Sequence, residues 1–153
     1  MNPEQESAAC DRVVRSHVYG WVMRDGLPPT ISETSSTLSR PPNEVRASFQ
    51  RLADGHILVL QQGSGEILMA NPFSAVPTLF VVETTAYTAF GNCIWDALGI
   101  PAMLHQPGRI RTACGCCGEA MECEVTGGRL AAATGVVHFA IPALRWWEDI
   151  VFT

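Results

Sequence analysis

The sequence predicts an α+β chain made of two unlike halves, on three observations. Residues 11–54 hold apolar residues at helical spacing, in blocks broken by proline and glycine. Residues 56–70 switch to two short apolar runs around a glycine-bearing turn. From residue 78 onward, strand-like runs outnumber helical ones and follow one another closely enough to pair as neighbours, mostly antiparallel. With 47% hydrophobic and 16% charged residues in 153, the chain can bury a core and is not of disordered composition.

The start, "MNPEQESAAC", is polar and reads as frayed. The first helix is expected over Asp11 to Asp25, with Val13, Val14, Val18, Trp21 and Val22 facing inward and Gly26 and Pro28 as its stop. "TISETSSTLSR" predicts a short helix with Ile31 and Leu38 inward. "PPNEVRASFQRLADG" predicts a third: Pro42 suits a first turn, Val45, Phe49 and Leu52 share a face, and Gly55 ends it. "HILVL" and "EILMA" are strands joined by "QQGSG". Three helices followed by a hairpin outline a winged-helix-like domain over residues 1–71, with "NPFSAVP" as the linker into a second domain over 72–153.

The second half opens on the strand "TLFVVE" and continues into a helix expected over Ala86 to Leu98, ended by Gly99 and Pro101. "GRIRTAC" reads as a strand running into the glycine-rich turn "CGCCGEA". "MECEVTGG" is the return strand, where Met121, Cys123 and Val125 alternate with glutamates. "GVVHFAIP" is expected as a further strand before "ALRWWEDIVFT", whose Trp146 and Trp147 read as core.

All ten basic residues are arginine and the net charge is −5, a balance that argues against a nucleic-acid partner. No apolar run reaches membrane-span length, and the start lacks the basic and apolar regions of a signal peptide. The expectation is a cytoplasmic protein with no membrane contact.

Six cysteines fall at positions 10, 93, 114, 116, 117 and 123. In a cytosolic chain of this size they point to metal or thiol chemistry rather than disulfides. Cys114-x-x-Cys117 is one knuckle of a zinc site, but no second C-x-x-C follows, and Cys123 and His138 are irregularly spaced recruits. The plainer reading makes some of these cysteines small buried hydrophobes, Cys123 above all.

"FGNCIWDALGI" sets Cys93 one helical turn before Asp96 in apolar surroundings, with Gly91 permitting close approach of backbone or ligand. A lone cysteine on an apolar helix is by default structural, but a carboxylate there needs a reason. The carboxylate does not activate the thiol, because it disfavours the thiolate. His105 and His138 sit in no motif that would make a cysteine–histidine hydrolase. The acid makes sense as a proton carrier beside a thiol, and thiolates prefer soft ions such as mercury(II).

With these residues in place, the chain resembles the organomercurial (alkylmercury) lyases. "NCIWDALGIPA" is similar to the family's cysteine-x-x-aspartate helix with its following proline, and "RIRTACGCCGEAMECEV" to the strand-turn-strand with its own cysteine. The resemblance implies protonolysis of R–Hg⁺ to RH and Hg²⁺ in an α+β lyase-like core. It makes Cys93 the first catalytic cysteine, Asp96 the proton carrier and Cys114 structural. Cys116 and Cys117 are extra thiols that would join Cys93 and Asp96 around mercury, or hold zinc or another soft metal with Cys114. No organic cofactor is implied; cellular thiols or a mercuric reductase would take the product ion. The family's second catalytic cysteine would fall at Thr153 or just beyond, so its absence reads as truncation or divergence. Two alternatives stand beside this reading. One is a metal-responsive winged-helix regulator with Asn43, Arg46, Gln50 and Arg51 facing DNA. The other is a thiol-rich metal-binding protein without turnover.

Overall fold

The computed structural model describes residues 2–133 and 135–151. It is α+β: three N-terminal helices, a small antiparallel sheet, then a larger antiparallel sheet carrying one helix.

Helix α1 spans Pro3–Asp25, not Asp11 to Asp25. Its polar start is ordered by a capping box, in which the Asn2 side chain accepts from the Gln5 N–H and the Gln5 side chain accepts from the Asn2 N–H. Pro3 then costs nothing at a position whose N–H has no helical partner. The buried stripe is narrower than expected: Val14, Val18 and Val22 are inside while Val13 is 47% exposed. α1 ends at Gly26, whose positive φ of 82° and contact with the Thr88 carbonyl leave no room for a Cβ.

α2 (Ile31–Leu38) starts on a Thr30–Glu33 capping box, and the Ile31 N–H also donates to the Glu66 carboxylate at 2.8 Å. α3 (Pro42–Asp54) buries Val45, Ser48, Phe49 and Leu52. It is clamped to α1 through Asp11, which accepts from Ser48 Oγ at 2.6 Å and from two Arg51 nitrogens at 2.8 and 2.7 Å. Burial alone would raise the Asp11 pKa; the Arg51 and Ser48 hydrogen bonds and the guanidinium charge outweigh it and hold the carboxyl below its usual range.

Strands β1 (Leu58–Leu60) and β2 (Ile67–Ala70) form the expected hairpin. The stretch read as a linker contributes a third strand, β3 (Phe73–Ser74), paired to β2. Phe73 is fully buried, and it packs with the second core rather than the first. Two clusters of buried side chains result. Val14 and Val18 belong to one and Val22 to the other, so α1 runs through both, with Tyr19 against each.

The larger sheet has the order β5-β4-β6-β7-β8, from β4 (Val81–Thr84), β5 (Thr88–Phe90), β6 (Gly108–Ala113), β7 (Ala120–Thr126) and β8 (Arg129–Ala132). Ala89, Val82, Ile110 and Cys123 stand opposite one another across four strands. Their shared face is covered by helix α4 (Ile94–Met103) through Ala97 and Ile100.

Three expectations fail here. The helix does not begin at Ala86: the Thr84 hydroxyl accepts from the Ala86 and Tyr87 N–H groups and closes a turn into β5. Nor do Gly99 and Pro101 end it. Pro101 is buried in the last turn, its ring against Gly108 at the start of β6, a contact that holds the helix to the sheet. Residues 135–142 are not a strand; the strand is Arg129–Ala132, and Val136 is 92% exposed.

The closing segment turns through a 3-10 helix, Ala143–Glu148. Trp147 is not core: it is 42% exposed and stacks on His56 at 4.0 Å and 9°. Phe139 meets Trp95 edge-on and tilts against Trp146. No helix among the described residues is long and apolar enough to cross a membrane.

Candidate active site

The first turn of α4 is the site, and the backbone before it is fixed from three sides. The Gly91 N–H donates to the Phe80 carbonyl at 2.9 Å, and the Thr78 hydroxyl donates to the Gly91 carbonyl at 2.7 Å. Gly91 also bridges to Phe73. The Asn92 side chain donates to Asn71 Oδ1 at 3.2 Å. A Cβ on Gly91 would lie 2.6 Å from the Ala97 nitrogen. The close approach that glycine permits is therefore of the chain's own helix, not a ligand.

Cys93 is the N-cap of α4, with extended φ and ψ of −143° and −179°, and Asp96 is the third residue of the helix. Their spacing is that of a capping box, so the two side chains meet across the helix start rather than along a helical face. The Cys93 sulfur makes no cap hydrogen bond of ordinary geometry. The Asp96 and Trp95 N–H groups nevertheless point toward it and favour its thiolate. Burial dominates: it raises the Cys93 pKa, and the Asp96 charge raises it further. Burial also raises Asp96, against hydrogen bonds from the Asn92 side chain and from the thiol and N–H of Cys93. Both groups therefore lean toward their protonated forms, in contact, at the positive end of a helix. A soft cation that replaces the thiol proton relieves one cost of burial.

The remaining cysteines separate by environment, and all six are free thiols. Cys114 follows β6 and opens a turn closed by hydrogen bonds of 2.8 Å, from the Cys114 N–H to the Glu119 carbonyl and from the Gly118 N–H to the Cys114 carbonyl. Its sulfur accepts from the N–H groups of Cys117 and Cys116 and contacts the Cys117 thiol, which holds its pKa below the ordinary thiol value. Cys116 and Cys117 are exposed. Cys123 is buried on the inner sheet face, and burial raises its pKa, as suits a packing residue.

Phe90, Val81, Arg111 and Glu122 stand opposite one another across the sheet. The start of α4 and the 114–119 turn therefore lie at the same end of it. They do not merge: among the described residues, no three His, Cys, Asp or Glu side chains are grouped so as to hold a metal ion. The structure brings Cys93 to Asp96 but assembles neither those two with Cys116 and Cys117, nor a zinc cage at Cys114, Cys116 and Cys117. His105 lies just past the opposite end of α4, with positive φ. Thr153, where the resemblance puts a second catalytic cysteine, lies outside the described residues.

Sequence reasoning missed Asn92, which supports Asp96, although an asparagine directly before an N-cap was a visible signal. It also passed over Trp95, 58% exposed beside the thiol. A cavity of ≈ 600 Å³ lies elsewhere, between α3, the β1–β2 hairpin and Trp147; Arg46 and Gln50 line it, but Asp96 and the cysteines do not. On α3, Arg46 bonds the Ser64 carbonyl, Gln50 bonds Asp54 and Arg51 bonds Asp11, so these three side chains already have partners within the chain.

The alkylmercury lyase (MerB) family model matches residues 73–153, more than half of the chain. Among solved structures, the fold is similar to the crystal structure of the mercury-bound form of MerB2, with a TM-score of 0.59 and 23% identity. That similarity covers 84% of this chain and 60% of the other. A search of the curated proteins finds no match.

Proposed function

The chain belongs to the alkylmercury lyase family, and from that premise we propose that it cleaves carbon–mercury bonds by protonolysis at Cys93 and Asp96. The observation that carries this reading is the contact between a partly buried thiol and a carboxyl whose pKa is raised, inside the matched region. Cys93 sulfur bonds the mercury of R–Hg⁺ while its proton passes to the Asp96 carboxylate. Sulfur donation makes the mercury-bound carbon more basic. Asp96 delivers the proton to that carbon, the C–Hg bond breaks, RH leaves, and Hg²⁺ stays on sulfur. A carboxyl with a raised pKa suits this step, because it holds a proton at a pH where an ordinary carboxylate would not.

In the same reading residues 1–71 form a winged-helix-like domain and residues 72–153 the lyase domain. Cys116 or Cys117, at the same end of the sheet as Cys93, serves as a relay ligand, and Cys114 shapes their turn. The substrate is an organomercurial, and cellular thiols or a mercuric reductase take the product. Six unbridged thiols fit a reducing cytoplasm.

The test is incubation with phenylmercury and excess thiol, with benzene measured in the headspace. Wild-type protein releases benzene and Cys93→Ser does not. Asp96→Asn lowers the rate by about 10²-fold or more, the usual contribution of a positioned acid. No benzene from the wild-type protein refutes the reading.

A further inference from the structure

The geometry points to a second soft-metal site on this chain, a two-thiolate clamp for a mercuric ion made by Cys114 and Cys117 at the tip of the β6–β7 hairpin. The site is distinct from Cys93, and it takes its ion, though not its existence, from the carbon–mercury chemistry proposed above.

Five features of the turn carry this. Cys114 and Cys117 stand in C-x-x-C spacing within one closed turn, and the Cys117 thiol helps hold the Cys114 pKa down. The Cys116 and Cys117 N–H groups both aim at the Cys114 sulfur, placing donors where a thiolate's charge would rest. The turn is held shut independently of its side chains, by the two backbone hydrogen bonds between Cys114 and residues 118 and 119. Gly118, at φ 74°, turns the chain back toward β7 directly after Cys117. Cys117 is exposed, so an ion reaches it from solvent.

The absence of further ligands chooses the ion. Zinc takes four ligands in a tetrahedron, and no third His, Cys, Asp or Glu joins this pair among the described residues. Mercury(II) is content with two thiolates. With metal–sulfur bonds of about 2.3 Å or somewhat more, two sulfurs on one ion sit up to about 5 Å apart. Two thiols three residues apart in one turn reach that span with a small side-chain adjustment, and the exposed hairpin tip allows it. As each S–Hg bond forms, one thiol proton passes to solvent; two protons leave per ion and nothing is oxidised or reduced. Cys116 lends the clamp its N–H and not its sulfur.

The experiment uses the full chain carrying Cys93→Ser, so the clamp is read without the proposed active-site thiol. The protein is loaded with one equivalent of mercuric chloride, passed through a desalting column in excess N-acetylcysteine, and assayed for mercury per chain. Two linked thiols gain about 10²-fold or more over separate ones. We therefore expect Cys93→Ser to retain close to one ion, Cys116→Ser added to it to retain as much, and Cys114→Ser or Cys117→Ser added to it to lose nearly all. Mercury loading is also expected to shield Cys114 and Cys117, but not Cys116, from iodoacetamide in peptide maps, a readout on the parent that needs no turn variant to fold. Equal retention after Cys117→Ser, or no retention by Cys93→Ser alone, overturns the clamp. The benzene assay on wild-type protein is scored separately: benzene without retention refutes only the clamp, and retention without benzene refutes only the lyase reading.

Discussion

Replacing Gly91 by alanine tests whether the site is held by the close contact between its approach strand and its helix. An added Cβ would stand 2.6 Å from the Ala97 nitrogen and 2.9 Å from both the Ala97 Cα and Cβ. Two of those atoms are backbone in the turn that carries Cys93 and Asp96, so no side-chain rotation relieves the clash. Overpacking of this kind costs about 1–3 kcal/mol, and a backbone collision belongs at the upper end. For a chain of this length each kcal/mol moves Tm by about 2–4 °C, so Gly91→Ala should lower it by about 6–12 °C. Gly99→Ala on the same helix is the control. A Cβ there meets nothing within 4 Å. Removing a helix-interior glycine should stabilise by about 0.5–1 kcal/mol and raise Tm by a few degrees. Thermal unfolding followed by circular dichroism reads both. A Gly91→Ala Tm within about 2 °C of the parent would refute the argument that this contact fixes the site.

Asp11→Ala leaves Ser48 and Arg51 without their acceptor and should cost about 2 kcal/mol, the scale of hydrogen bonds to a charged group, measured by urea unfolding. Because the Asp11 pKa is lowered in the fold, its contribution is present above the unfolded carboxyl pKa and is lost as pH falls through the folded value, so the parent and Asp11→Ala should converge in acid. Asp96 has the opposite sign. Its pKa is raised, so its contribution is present below the unfolded value and lost as pH rises through the folded one; Asp96→Asn should be the more stable protein at neutral pH, and its advantage should disappear in acid. The thiols should also separate by reactivity. At neutral pH iodoacetamide should label Cys114 before Cys93, with Cys93 catching up as pH rises, because one pKa is lowered and the other raised; labelling in the reverse order contradicts those environments.

The N-terminal helices were legible because stripe and cap agree in the sequence: Ile31 follows a Thr30–Glu33 box, and Val45, Phe49 and Leu52 recur at helical spacing. The start of α1 was misread because "MNPEQES" looks merely polar, when Asn2, Pro3 and Gln5 are together a helix start. "GVVHFAIP" has the composition of a strand but pairs with no strand among the described residues. "RLAA" shows no alternation and becomes a strand because Gly127 and Gly128, both at positive φ, fold it back on β7. At the site, the Cys93–Asp96 pair was legible from its spacing. Its capping geometry was not, because cysteine is outside the usual set of N-cap residues and the apolar pattern runs on through it.

The N-cap position of Cys93 sets the folding interest of the chain against its chemistry. Serine is among the preferred residues there and cysteine is not, and the sulfur leaves the cap bond unmade. Cys93→Ser should therefore be more stable than the natural protein by about 1 kcal/mol while releasing no benzene from phenylmercury. Selection for stability alone would replace the thiol. Under the proposed chemistry, its presence at the mouth of α4 marks a position where a weaker helix start accompanies a reactive atom.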